Sequence, residues 1–97
     1  MTVTIFVDGQ KLFLNPFITG FTANLLVAIA KSLHPQEASK IELRMKGEEL
    51  ELQLDGGIIA VNAGRAQKIV GNVLRGLLSS LHGAESGSEF LFIYEGE

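Results

Sequence analysis

The chain contains one pattern twice, and this limits its fold more than any other feature. Asp8-Gly9 returns as Asp55-Gly56, Asn15 as Asn62, Asn24 as Asn72, Leu26 as Leu74, Ser32-Leu33-His34 as Ser80-Leu81-His82, Glu37 as Glu85 and Gly47-Glu48 as Gly96-Glu97. The offset grows from 47 to 48 to 49 residues, so two single-residue insertions align the halves. These are eleven identical pairs, where unrelated stretches of this length would share about three by ordinary residue frequencies. The sequence therefore predicts a tandem duplication with pseudo-two-fold symmetry, 1–48 followed by 49–97. No linker or low-complexity tract separates the halves, so the 97 residues are read as one domain made of two intimately joined repeats.

Each half reads strand, strand, helix, strand. Thr2 to Val7 alternates with Val3, Ile5 and Val7 on one face, and Lys11 to Leu14 resumes with Leu12 and Leu14 after Asp8-Gly9. Asp-Gly suits a two-residue type I′ turn, which needs positive φ at both central positions and would pair Val7 with Gln10, Ile5 with Leu12 and Val3 with Leu14. Asn15 then caps a helix whose first residue is Pro16, where the missing N–H costs nothing. At 100° per residue, Phe17, Ile18, Phe21, Leu25, Leu26, Ile29 and Leu33 form a broad apolar band, and Gly20, Asn24, Val27, Lys31 and His34 a narrower stripe. Pro35 ends the helix.

Lys40 to Lys46 and Glu49 to Asp55 alternate around a Gly47-Glu48 turn. That register pairs Ile41 with Leu54, Leu43 with Leu52 and Met45 with Leu50 on one side, and sets Lys46, Arg44 and Lys40 opposite Glu49, Glu51 and Asp55 on the other. The second half continues with a strand over 58–61, Asn62 as cap, a helix over about 63–82, a Gly/Ser-rich loop and a last strand over 89–95. The expected fold is α+β, six strands with two helices packed on the sheet; a closed six-stranded pseudo-symmetric barrel is the alternative. The duplication also predicts that Phe90 to Tyr94 pairs antiparallel with Val3 to Val7, as Ile41 to Lys46 pairs with Glu49 to Leu54.

Composition narrows the function classes. Hydrophobic residues make up 46% and charged residues 20% of the chain, enough for a core without staples. With no cysteine, disulfides, thiolate metal sites and cysteine nucleophiles are excluded. The net charge of −3 lacks the clustered cationic field of nonspecific nucleic-acid binding. The apolar run from Phe17 to Leu33 is shorter than the roughly 20 residues of a membrane span and contains Asn24 and Lys31. No membrane or nucleic-acid partner is expected, and cytoplasm is the expected location, since Met1 to Gly9 has no basic leader.

No nucleophile sits beside a base, no carboxylate pair lies in an apolar setting, and no phosphate-binding glycine pattern occurs. No cofactor or metal is expected. His34 and His82 occupy equivalent helix C-termini, where an imidazole interacts well with free carbonyls. Gly64, Arg65, Lys68 and Arg75 place cations about the second helix N-terminus, the arrangement of a small-anion or phosphorylated-ligand site and equally of a solvated polar face. Asn24 and Asn72 would share a polar contact near the pseudo-two-fold axis.

The outer faces of the two half-sheets differ most. Where one half has Glu42, Arg44 and Gln53, the other has Leu91, Ile93 and Phe6, with Phe13 also outward. Such a cluster marks an interface. The leading expectation is a non-catalytic protein-interaction or self-assembly module, most economically a homodimer through Phe6, Phe13, Leu91 and Ile93. Anion binding is the first alternative, and an enzyme with a site on the pseudo-symmetry axis the second.

Overall fold

The computed structural model describes residues 1–35, 37–61 and 64–96. They form strands β1 (Thr2–Val7), β2 (Gln10–Lys11), β3 (Lys40–Lys46), β4 (Glu49–Leu54), β5 (Gly57–Ile59) and β6 (Glu89–Glu95), and helices α1 (Pro16–Leu33) and α2 (Arg65–Leu78). The strands make one antiparallel sheet in the order β2-β1-β6-β3-β4-β5. The sheet is open, with β2 and β5 at its edges, so the closed barrel is not formed.

Local sequence explains the turns. Asp8 and Gly9 have φ of 50° and 84°, and Asp55 and Gly56 have 50° and 85°, the two consecutive positive values of a type I′ turn. Val7 pairs with Gln10 and Phe6 with Lys11. β2 ends there, earlier than its alternation predicts: the Leu12 N–H still donates to Ile5 O at 2.8 Å, but Val3 and Leu14 are outside the ladder. The chain has to leave the sheet for α1, where Asn15 Oδ1 accepts from the Ile18 N–H at 2.8 Å. The β3–β4 register is the expected one, Met45 with Leu50, Leu43 with Leu52 and Ile41 with Leu54.

The last strand runs through the middle of the sheet. β6 pairs along its length with β1, from Thr2 with Glu95 to Val7 with Phe90, as the repeat predicts. Its other edge pairs with β3, from Lys40 with Glu95 to Lys46 with Glu89. The two Asp-Gly turns hold the β1–β6 and β3–β4 junctions. Asp8 Oδ1 accepts from the amides of Ser88 (3.2 Å) and Glu89 (2.9 Å), where β6 begins. Asp55 Oδ1 accepts from the amides of Ser39 (3.0 Å) and Lys40 (2.9 Å), where β3 begins. The same aspartates donate their backbone N–H groups to Glu89 O (2.8 Å) and Lys40 O (2.9 Å).

One face of the sheet is covered. Ile5, Val7, Ile41, Leu43, Met45, Leu52 and Phe92 point into a core closed by Leu26, Ile29 and Ala30 of α1 and Val70, Leu74 and Leu78 of α2. Leu81 and Ala84, beyond α2, extend it, and the loop lies so close that a Cβ at Gly87 would meet Val7 and the Phe90 ring. α2 is shorter than the expected 63–82: it stops at Ser79, whose N–H bonds back to Arg75 O. Asn62, the expected cap, lies outside the described residues; Gly64 occupies the N-cap position.

α1 departs from its wheel. Its buried positions are Thr22, Ala23, Leu26, Ile29 and Ala30, whereas Phe17 and Phe21, expected inward, are 75% and 48% exposed. An apolar band wider than half the helix leaves its facing undetermined, and the small residues settle it. Thr22, Ala23 and Ala30 let the helix lie against the sheet, which leaves the rings on the opposite side.

The Asp8 clamp makes stability depend on acid. The backbone amides of Glu89 and Ser88 hold the Asp8 carboxyl below the usual carboxylate range. A lowered folded-state pKa contributes stability above the unfolded value, near 3.9, that is lost as pH falls through the lower folded value. Asp8→Asn should therefore lower the urea midpoint at neutral pH and reduce the loss of stability on acidification below about pH 4. Urea titrations at neutral and acidic pH check both effects.

Candidate functional site

With both helices on one side, the other face of the sheet is left uncovered by them, and strand pairing fixes what it presents. One row across the strands reads Lys11, Phe6, Leu91, Arg44, Glu51; the next reads Thr4, Ile93, Glu42, Gln53, Ile58. Phe6 and Leu91 are direct cross-strand partners, and Ile93 is on the same face two residues along β6. All three are half-buried by their neighbours and lie outside the core cluster. Phe13, past the end of β2, is 92% exposed. Three of the four expected interface residues thus lie together in the sheet, and Phe13 stands at its edge.

Charged side chains surround this apolar group. The Arg44 guanidinium meets Glu89 of β6 at 3.5 Å, and Lys40 meets Glu42 at 3.6 Å. Arg44 with Glu51 and Lys46 with Glu49 are the expected cross-strand partners, but the ion pair that Arg44 makes is with Glu89, because β6 is a second neighbour of β3. The Lys40–Asp55 junction instead joins the Lys40 amide to the Asp55 carboxylate.

The four residues expected about an anion do not share a pocket. Gly64 and Lys68 line a depression of about 330 Å³ with Gln67 and the acidic Glu48. Arg65 is exposed at the first turn of α2. Arg75 turns elsewhere: it donates to Asn72 Oδ1 at 2.8 Å and to Gly47 O at 3.4 Å, and lies over Gly71. It links α2 to the β3–β4 turn. The Gln67 amide, which donates to Glu48 O, reinforces that link.

Asn24 and Asn72 are both exposed, and Asn72 is engaged by Arg75 on its own helix; no hydrogen bond joins the two asparagines among the described residues. His34 caps α1 through its backbone, N–H to Ala30 O at 2.8 Å, while its Nδ1 is buried without a partner among the described residues. His82 lies beyond the end of α2, with Nδ1 3.8 Å from Glu85 Oε1. The two histidines are therefore not equivalent caps.

A second apolar surface lies on the helix side. A groove of about 320 Å³ runs between α1 and α2, lined by Leu25, Ile29, Leu33, Ala66, Val70 and Val73 among others. Next to it on α1, the Phe17 and Phe21 rings stack with centroids 6.0 Å apart. Its sequence signal is a helix apolar on nearly every side, more than one sheet face can cover.

The different environments of the cations predict different costs. Arg75→Ala should destabilise by about 1 kcal/mol, through two lost hydrogen bonds and lost packing. Arg65→Ser should stay within about 0.5 kcal/mol of the parent, as surface changes do. Urea unfolding distinguishes them.

Comparison of the chain with models of known protein families, with curated proteins and with solved structures finds no match.

Proposed function

We propose that this protein is a non-catalytic interaction and self-assembly module that forms a two-fold homodimer through the uncovered face of its sheet. The observation that carries the reading is the adjacency of Phe6, Leu91 and Ile93 on that face. A two-layer α+β domain is stable with one sheet face in water when that face is polar. Here its centre is apolar, and an apolar centre within a charged rim is the usual plan of a protein interface. The rim suits self-pairing, because it carries both signs: Lys40, Arg44 and Lys46 on β3, and Glu49, Glu51, Glu89 and Glu95 on the strands beside it. A two-fold axis over such a surface sets cations against carboxylates.

The same reading includes a duplicated origin. Exchanging β1, β2 and β3 for β4, β5 and β6 returns the same strand order. Asp8 and Asp55 make corresponding bonds to the amides that begin β6 and β3. On this view one half-face kept its charges and the other exchanged them for Phe6, Leu91 and Ile93. The anion alternative has less support, because Arg75 is committed to Asn72 and Gly47 and because Glu48 sits beside Lys68.

Light scattering tests the dimer. The wild-type chain should show twice its mass of 10.5 kDa. Phe6→Glu and Ile93→Glu should each give a folded monomer with unchanged circular dichroism, weakening association on the order of 10- to 100-fold, since full burial of such a side chain contributes roughly 1.5–3 kcal/mol, and the dimer completes the burial of a half-buried one on both subunits. A wild-type protein that stays monomeric at high concentration contradicts the reading, as does loss of folding in both variants.

A further inference from the structure

The chain's net charge of −3 conceals a strong asymmetry. α1 and α2 hold four of the eight basic side chains, Lys31, Arg65, Lys68 and Arg75, and none of the eleven acidic ones. The rest of the chain holds four basic against eleven acidic side chains, a balance of −7. Two acids outside the helices reach this layer, Glu48 of the β3–β4 turn at Gly64 and Lys68, and Glu37 at Lys31.

On this cationic layer lie four exposed large apolar side chains. Both helices bury their other sides in the same core, so their outward sides face away from the sheet together. Phe17 and Phe21 stack on α1, 75% and 48% exposed, and Ile69 and Val73 on α2 are 61% and 43% exposed. Between them runs the groove of about 320 Å³.

We propose that the helix layer docks on an anionic lipid bilayer, with Phe17, Phe21, Ile69 and Val73 entering the interface while Lys31, Arg65 and Lys68 meet the headgroups. Helices that lie in a membrane interface combine an apolar side with cations and bind by apolar burial plus attraction to anionic lipid. α1 and α2, held side by side by the sheet, present that combination as one surface. Charge disfavours a second helix layer as occupant, because two such layers would set cations against cations, and the sheet face of a second copy is the one the proposed dimer uses. The groove offers a protein segment little to hydrogen-bond, where interfaces carry on average about one hydrogen bond per 100–200 Å² of contact. Its one polar side chain among the described residues, Ser32, already donates its hydroxyl to Ala28 O at 2.7 Å. Acyl chains need no such partner.

Vesicle flotation tests the proposal on the intact protein. Binding to phosphatidylcholine vesicles with about a third phosphatidylserine should be on the order of tenfold tighter than to phosphatidylcholine alone, since Arg65 is exposed while Glu37 and Glu48 beside Lys31 and Lys68 offset part of their attraction. Added salt at about 1 M should remove that difference. Arg65→Ser with Lys68→Ser should reduce binding to the anionic vesicles, and Phe17→Ser with Phe21→Ser should reduce binding to either kind, at unchanged circular dichroism. Absent binding, binding indifferent to phosphatidylserine, or variants that bind like wild type overturn the proposal. So does a wild type that ignores vesicles but loses mass in solution when Phe17 and Phe21 are replaced, which would put a protein on this face. Should the phenylalanine variant fail to fold, the salt titration of wild type and the Arg65/Lys68 variant decide the matter.

Discussion

The structure depends on the last strand entering the middle of the sheet. β6 hydrogen-bonds to β1 on one edge and β3 on the other, and its Phe92 is fully buried at the centre of the core. Two carboxylates fix where the central strands begin, Asp8 at Ser88-Glu89 and Asp55 at Ser39-Lys40. Each turn thereby reaches from one half of the chain into the other. Without β6, β1 loses its inner neighbour and β3 exposes an edge, so the halves are interlocked. Contacts of this kind join residues some 80 positions apart, and such non-local pairing makes folding slow and cooperative.

From this arrangement follow two surfaces of different chemistry. β6 brings Leu91 and Ile93 beside Phe6 on the uncovered face, where charges of both signs surround them. The opposite layer is cationic and apolar, because neither helix contains an acid and α1 has more apolar surface than the sheet can cover. A sheet-to-sheet dimer would leave both helix layers outward, so the proposed self-assembly and the proposed lipid docking would not compete for one surface.

Much of this was legible in the residues. Two Asp-Gly pairs fixed the I′ turns, strict alternation fixed the β3–β4 register, and the repeat predicted the pairing of the terminal strands. What could not be read depends on neighbours distant in sequence. The pairing of Arg44 with Glu89 requires knowing that β6 lies beside β3. The engagement of Arg75 with Gly47, 28 residues away, follows from how α2 lies over a turn. The outward rings of Phe17 and Phe21 reflect close approach through Thr22, Ala23 and Ala30, and hydrophobicity alone favours the larger side chains. His34 and His82 match in sequence, but α2 ends at Leu78 and leaves His82 beyond it.

Native-state hydrogen exchange by NMR, followed through increasing denaturant, tests the interlocked sheet most directly. If β6 joins the two halves into one cooperative unit, the hydrogen-bonded amides of β1, β6 and β3 should open together, with the free energy of global unfolding. Amides of β1 and β6 that open as a separate, less stable unit while β3 and β4 stay protected would contradict the account.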